Sequence, residues 1–157
     1  MRHAKSSWKD SDIPDHERPL KKRGVKDSER MGKMLKSKKL VPDIILSSTA
    51  ERSKMTAEIL AKSSKYKGKI QYLDSLYMAE PSNILEAIEE YGDGSDVVVL
   101  IGHNPGMEAF VQILTGKVES LPTASVAYVT AKVDDWKELA DEDKAKLKKL
   151  WRPKDLR

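Results

Sequence analysis

The sequence predicts an α/β domain of three layers, in which a mostly parallel central sheet is covered by helices on both faces. Short β-branched runs such as "DIILSS" and "DVVVLIG" alternate with stretches that carry apolar residues at helical spacing. The run "VVVLI" has no polar interruption, as is typical of a central parallel strand that is buried on both faces. Because 157 residues suit one hydrophobic core, we expect a single domain over residues 1–157.

In the first half of the chain, predicted helices alternate with predicted strands. A charged stretch from Pro19 to Leu40 carries apolar residues at helical spacing and predicts the first helix. The strand "DIILSS" then leads into a helix for which Thr49 offers a cap. The weaker strand "KIQYL" leads into a helix that Ser82 begins.

The second half continues the same order. The strand "DVVVLIG" leads into the helix "HNPGMEAFVQILTG", with Asn104 as its cap and Gly116 at its end. The segment "SVAYVTAKV" alternates as a strand does. We interpret "EDKAKLKKLWRP" as a polar helix that closes the chain.

Composition excludes several classes of protein. Hydrophobic residues make up 39% of the chain and charged residues 34%, and no apolar run is long enough to cross a membrane. The absence of cysteine removes disulfides, thiolate catalysis and the usual zinc frameworks. No apolar signal segment is visible at the N-terminus. We therefore expect a cytoplasmic monomer that does not contact membranes.

The net charge of +4 raises the question of nucleic acid binding. Lysines and arginines are mostly interleaved with acidic residues, as in "LADEDKAKLKKLWRPKDLR", which is typical of a solvated surface. With a single phenylalanine and few aromatic residues overall, the chain also offers no stacking platform of the kind that single-stranded nucleic acids use. We expect no nucleic acid partner.

Two arginines and two histidines fall where parallel strands are predicted to end. Arg52 follows "LSS" and His103 follows "VVVLIG", and Arg2 and His3 would follow a first strand. Ligands of such sheets bind beyond the carboxyl ends of the strands. We expect these four residues to meet at one end of the sheet.

This set of side chains suits a phosphoryl group. Arginine donates planar, bidentate hydrogen bonds to phosphate oxygens, and a neutral imidazole is a competent nucleophile at phosphorus. Lys5 and Ser6 follow His3 closely enough to donate to a bound phosphate, and Asn104 beside His103 is a further substrate-binding candidate. No acidic cluster has metal-ligand spacing, so we expect neither a metal nor another cofactor.

Six segments together carry a family resemblance. In chain order they are "RHAKSSW", "DHERPLKKRG", "LSSTAERSKMTAEIL", "LYMAEP", "LIGHNPGM" and "LPTASVAYV". They resemble the histidine phosphatase superfamily, whose fold is phosphoglycerate mutase-like, and within it the SixA-type branch of phosphohistidine phosphatases. The resemblance extends across essentially the whole chain.

The resemblance implies a metal-free phosphatase in which His3 is transiently phosphorylated. Arg2, Arg52 and His103 match the phosphate-pocket positions of the family. Arg18 lies in a segment that the family retains near the rim of the pocket, which makes it a substrate-binding candidate.

The resemblance also implies a substrate class. Short members of the branch lack the large inserted cap of related enzymes, which leaves the pocket open to phosphohistidine in a protein. One alternative is a hydrolase of small phosphomonoesters or pyrophosphates on the same scaffold. Another is a phosphate-binding module without catalytic activity.

The sequence departs from the superfamily pattern at the general acid. Most members carry a carboxylic acid shortly after the third strand, and Met78 stands at the corresponding place here. Asp74 and Glu80 are nearby but are not clearly aligned, so the acid is unassigned. An imidazole leaves phosphorus readily once it is protonated, whereas an alkoxide needs a proton donor in the transition state. The departure therefore favours phosphohistidine.

A second departure concerns the first strand. Family members carry an apolar strand before the Arg-His pair, and here that strand is missing or truncated. Without it we expect the terminus before His3 to fray.

Four further residues have weaker support. We interpret Trp8 and Trp151 as packing residues and His16 as a surface or loop residue. Arg23 lies in the same segment as Arg18, near the expected rim.

Overall fold

The structure is a computed structural model that describes residues 1–157. It contains four α-helices, five strands and four short 3₁₀ turns. The helices are α1 (Lys22–Ser37), α2 (Glu51–Ser64), α3 (Pro81–Tyr91) and α4 (Gly106–Thr115). The strands are β1 (Ile44–Ser48), β2 (Ile70–Leu73), β3 (Val98–Ile101), β4 (Val126–Ala131) and β5 (Ala145–Trp151). The 3₁₀ turns are Asp15–Glu17, Asp74–Leu76, Trp136–Glu138 and Pro153–Asp155.

A parallel sheet with the order β2-β1-β3 forms the centre of the molecule. Ile45 pairs with Ile70 of β2 on one side and with Val99 of β3 on the other. The parallel α/β sheet expected from the sequence is thus confirmed for these strands. A second sheet pairs β4 with β5 in antiparallel orientation.

Helices cover both faces of the parallel sheet. Ile45 packs into one buried cluster with Leu60 of α2, whereas its neighbour Leu46 packs into another with Ile84 of α3. Successive residues of a strand point to opposite faces, so the sheet separates two cores. Gly32 allows α1 to approach α2 closely, because a Cβ there would lie 2.9 Å from the Leu60 carbonyl oxygen.

The segment "EDKAKLKKLWRP", which we interpreted from the sequence as a polar helix, contains strand β5, so that prediction is wrong. Ala145 and Trp151 are buried and Leu147 is partly buried, while Lys146 and Lys149 are exposed. Pairing with β4 and burial of this apolar side outweigh the helix propensity of a sequence rich in lysine, leucine and alanine.

Two helix starts also differ from expectation. Ala50 rather than Thr49 is the N-cap of α2. Glu80 rather than Ser82 precedes α3, where it forms a capping box with Asn83.

None of the four helices combines the length and apolar character that a membrane crossing requires.

The first three residues lie between β3 and β4 and connect the two sheets. Arg2 forms a parallel bridge with Gly102, directly after β3. The hydrogen bonds are Met1 amine to Leu100 O (2.8 Å), Gly102 N to Met1 O (3.1 Å), His3 N to Gly102 O (3.0 Å), Arg2 N to Ser125 O (3.0 Å) and Ala124 N to His3 O (3.0 Å). The expectation of a frayed terminus is wrong, because backbone groups on both sides hold this segment and Met1 is buried.

An apolar slot continues between β3 and β4 on the far side of Met1. It has a volume of about 340 Å³, and Val98, Leu100, Val126 and Tyr128 are among its lining residues. The facing edges of β3 and β4 carry no strand along the slot. The slot therefore has the apolar lining that an additional apolar strand would need.

We expect an apolar segment of about five residues, joined to the amino group of Met1, to raise the thermal midpoint by about 5 °C or more. The segment would bury apolar surface and would use the unpaired edges of β3 and β4. It would also replace the Met1 amine, whose pKa burial lowers to about 5.

Thermal unfolding followed by circular dichroism measures the effect. A glycine and serine segment of equal length is the matched control and should leave the midpoint nearly unchanged. Equal midpoints for the apolar and the control segments would show that the slot does not accept a strand.

Candidate active site

The four residues expected at the strand ends come together in one polar cleft of about 340 Å³. Arg2 and His3 come from the segment beside β3, Arg52 from the first turn of α2 after β1, and His103 from the loop after β3. The complete lining is Arg2, His3, Lys5, Ser6, Trp8, Asp15, Arg18, Arg52, Met78, His103, Asn104 and Thr123.

His3 is held as a neutral imidazole with one free nitrogen. Its Nδ1 lies 2.8 Å from the carbonyl oxygen of Ala4, which can only accept, so Nδ1 carries the proton. The backbone is fixed in turn, because the Ala4 amide donates to the Thr56 hydroxyl at 3.0 Å. Burial lowers the pKa of His3 to about 4. At neutral pH the Nε2 lone pair is therefore available.

His103 lies beside His3, with ring centroids 5.1 Å apart. Its Nδ1 lies 3.5 Å from Nη2 of Arg52, a group that only donates, and its Nε2 lies 2.8 Å from the Ser48 hydroxyl. Nε2 accordingly carries the proton and donates to Ser48. Burial, together with the neighbouring His3 and Arg52, lowers the pKa of His103 to about 3.

Asp15 is the one carboxylate that lines the cleft, and the sequence analysis did not single it out. It accepts hydrogen bonds from Nη2 of Arg52 at 3.1 Å, from Nε of Arg18 at 3.1 Å and from the Tyr77 hydroxyl. The Tyr77 hydrogen bond is the largest of the effects that lower the pKa of Asp15 to about 2. Asp15 is therefore ionised at neutral pH. Its position three residues before Arg18 was the available signal in the sequence.

Two arginines of the cleft lining each have a buried, unpaired donor. The Nε atoms of Arg2 and Arg52 are buried and have no hydrogen-bond partner, although Nη1 of Arg2 donates to the Leu121 carbonyl at 3.0 Å. Buried donors of cationic groups are costly to leave unpaired. Together with the excess of positive charge, they indicate a site for an anionic ligand.

The remaining substrate-binding candidates also line the cleft. Ser6 accepts a hydrogen bond from Nη1 of Arg18 at 2.8 Å, which fixes this guanidinium at the rim. Lys5 lies beside Ser6. The side-chain amide of Asn104 donates to the Leu121 carbonyl rather than capping α4, and its Oδ1 is buried without a partner.

The two acid candidates do not reach the cleft. Asp74 accepts from the hydroxyl of Thr49 at 2.7 Å, and Glu80 caps α3. Met78 lies in the lining instead, with 52% of its surface exposed. The cleft thus has no protonated carboxylic acid.

Two other residues near the expected rim lie outside the lining. His16 packs edge-on against Tyr77, and its Nε2 lies 2.9 Å from the Thr49 hydroxyl, so it belongs to the support of the cleft wall. Arg23 is largely exposed on α1 and pairs with Asp27.

Trp8 and Trp151 differ in their surroundings. Trp151 is buried and stacks on Tyr128, as expected of a packing residue. Trp8 was also expected to pack, but it is 69% exposed and lies at the mouth of the cleft. The short sequence spacing from His3 was the only signal for this position.

Comparisons with known proteins show the family. The model of the histidine phosphatase superfamily (branch 1) matches residues 1–77. An uncharacterized protein of Mycobacterium tuberculosis strain H37Rv is 35% identical over 114 residues, which are 73% of this chain and 69% of the relative. The chain belongs to the histidine phosphatase superfamily.

Solved structures show the SixA-type fold. The putative phosphohistidine phosphatase SixA of Agrobacterium tumefaciens has a TM-score of 0.81 and 26% identity, over 98% of this chain and 95% of that chain. The protein histidine phosphatase SixA in complex with tungstate has a TM-score of 0.86 and 22% identity, and the match covers 100% of this chain and 97% of that chain. Family membership and these neighbours support phosphatase activity.

We expect the free energy of unfolding to fall as the pH decreases from about 6.5 toward 4. In the unfolded chain each histidine takes up a proton near 6.5, whereas in the folded chain His3 does so near 4 and His103 near 3. The unfolded state therefore binds more protons across this range, which favours unfolding.

His103→Asn removes one of the two groups. Between pH 7 and pH 4.5 its free energy of unfolding should fall by about 2 kcal/mol less than that of the unmodified chain. Urea denaturation at both pH values provides the measurement. An equal decrease in both proteins would contradict the burial of a neutral His103.

Proposed function

We propose that this phosphatase removes the phosphoryl group from phosphohistidine in a protein, through a covalent intermediate on His3 and without a metal ion. The geometry of His3 carries the proposal. Its Nδ1 proton is directed to Ala4, which leaves the Nε2 lone pair free in a cleft lined by cationic side chains. Arg2 and Arg52 supply buried donors without partners for the transferred group.

In the first step the Nε2 lone pair of His3 attacks phosphorus. A new N–P bond forms as the N–P bond of the substrate breaks, and the departing imidazole takes up a proton at the open mouth of the cleft. Arg2, Arg18 and Arg52 neutralise the three equatorial oxygens as the phosphoryl group passes between the two nitrogens. A metal ion is not needed to balance this charge.

In the second step water attacks the phosphorus of phosphorylated His3. The N–P bond breaks, inorganic phosphate leaves, and Nε2 recovers its lone pair. The Nδ1–H group of His3 donates to the Ala4 carbonyl oxygen throughout, so the ring keeps one orientation in both steps. Because burial and the arginines keep His3 unprotonated, the nucleophile is regenerated in its reactive form.

The choice of phosphohistidine rests on the proton donors of the cleft. Asp15 is ionised and already accepts from two arginines, and Met78 stands where a carboxylic acid would assist an alkoxide. Imidazole is a better leaving group than an alkoxide and leaves without a positioned carboxylic acid. The cleft therefore favours a P–N bond over a phosphomonoester.

Two further observations support a protein substrate and a phosphate site. No inserted cap domain covers the cleft, since none of the segments that connect the elements around it is long enough to form a domain. A structurally similar SixA protein was solved with tungstate, a tetrahedral oxyanion.

We expect His3 to carry the covalent phosphoryl group. Brief incubation with radiolabelled phosphoramidate in the presence of a chelator, followed by rapid quenching, should leave an acid-labile label on the wild-type chain. His3→Ala should carry none, because its side chain has no nucleophilic nitrogen. His16→Ala, in which the altered histidine lies outside the cleft lining, should keep the label.

Acid-stable label on a serine, or label that persists in His3→Ala, would overturn the assignment. A requirement for a divalent cation would overturn the metal-free mechanism alone.

We expect Arg52→Ala to slow turnover by about two to three orders of magnitude, the loss typical of one preorganised donor to a transition state. Arg23→Ala is the matched control, because this arginine is exposed and lies outside the cleft. Its turnover should match that of the wild type. Steady-state rates with a phosphohistidine peptide provide the measurement, and a near-wild-type rate for Arg52→Ala would place Arg52 outside the reaction.

A further inference from the structure

The mouth of the cleft carries two exposed apolar side chains, and the proposed reaction steps assign no substrate contact to either of them. Trp8 is 69% exposed and Met78 is 52% exposed, and they are the two apolar residues of a lining that is otherwise polar. Large apolar groups exposed beside a binding site are typical of ligand contacts. The two side chains are therefore placed to contact the part of a substrate that projects from the cleft.

Trp8 is held in position by the phosphate-binding part of the cleft. The guanidinium of Arg18 lies over its ring, 3.5 Å from the ring centroid. Arg18 is itself buried and fixed by the hydroxyl of Ser6 and the carboxylate of Asp15. One face of the indole is thus occupied by an ordered cation, and most of its remaining surface is open to solvent.

Met78 is held at the mouth by a constrained backbone. Its φ is 49°, a left-handed conformation that non-glycine residues rarely adopt. The following residue, Ala79, packs its carbonyl against Gly106, where a Cβ would overlap it, and the preceding Tyr77 donates to Asp15. Strained conformations of this kind persist where the surrounding structure fixes them, and they cluster at ligand sites.

The direction of phosphoryl transfer connects these two residues to the substrate. His3 is 6% exposed and lies inside the cleft. In an in-line displacement the leaving group lies opposite the attacking nitrogen. A leaving group that belongs to a protein must enter the cleft from solvent through its mouth, where it would lie nearest to Trp8 and Met78.

We propose that Trp8 and Met78 form a clamp for a flat ring bonded to phosphorus, so that the cleft selects a phosphorylated imidazole over phosphoryl donors without a ring. Indole and thioether groups both make favourable contacts with aromatic rings. This inference rests on the proposed function and adds the structural basis of its substrate selection.

A pair of small substrates tests the clamp. N-phosphoimidazole and phosphoramidate both contain a P–N bond, and only the first carries a ring. Trp8→Ala should lower kcat/KM for N-phosphoimidazole by about fivefold to tenfold, mainly through KM. The value for phosphoramidate should stay within about twofold, and Trp8→Phe should restore most of the loss because it keeps an aromatic face.

The Met78→Gly variant tests whether the Met78 side chain contributes to substrate binding without a loss of thermal stability. Glycine adopts a φ of 49° without strain, so the thermal midpoint should not fall, while kcat/KM for N-phosphoimidazole should decrease severalfold. Ile113→Ala is the matched control, because Ile113 is an apolar residue of α4 that is 67% exposed and lies outside the cleft. The Ile113→Ala variant should leave kcat/KM unchanged for both substrates.

The outcomes distinguish the clamp from the proposed function. Equal losses on both substrates in Trp8→Ala would overturn the clamp and would show that Trp8 acts by holding Arg18. Unchanged values for both substrates in both variants would also overturn it. A wild-type chain that turns over neither compound would overturn the proposed function and the clamp with it.

Discussion

The backbone of residues 1–3 lies between β3 and β4 and holds the two sheets and the cleft together. Hydrogen bonds to Gly102 on one side and to Ser125 on the other make this segment the link between the two sheets. The same segment places His3 at the carboxyl end of the parallel strands. Continuity between the sheets and the orientation of His3, the proposed nucleophile, therefore depend on the same hydrogen bonds, and a change that loosens one loosens the other.

The electrostatics of the cleft follow from burial of cations around one carboxylate. Arg2, Arg18 and Arg52 all lower the pKa of His3, in addition to the larger effect of burial, whereas Asp15 is the one anion in the lining. The side chains that would bind phosphate thus also keep the imidazole unprotonated. The cleft is therefore a cationic site around a neutral imidazole, which is the charge state that the proposed reaction needs.

Much of the architecture and part of the site are predictable from local sequence. The runs "DIILSS" and "DVVVLIG" are the neighbouring parallel strands β1 and β3, because β-branched apolar residues favour a sheet covered on both faces, but only β1 lies between two other strands of that sheet. Since parallel strands end at one edge, Arg52 and His103 were expected to meet, and they do. Arg2 and His3 join them through backbone contacts to Gly102 and Ser125 rather than through a strand of their own.

Other features depend on contacts between distant segments, which local sequence does not encode. The lysine-rich stretch that becomes β5 has no intrinsic preference for a strand, and pairing with β4 decides its conformation. Asp15 becomes part of the cleft only through Arg52 and Tyr77, which lie 37 and 62 residues away along the chain.

Short-range patterns in the sequence are enough to predict the order of the parallel strands and their helices and the chemical groups at the strand ends. The protonation of His3, the exposure of Trp8 and the backbone conformation of Met78 depend instead on contacts made in the folded chain. Burial, desolvation and backbone constraint at a residue are set by neighbours from several separate elements. No stretch of sequence around the residue contains those neighbours.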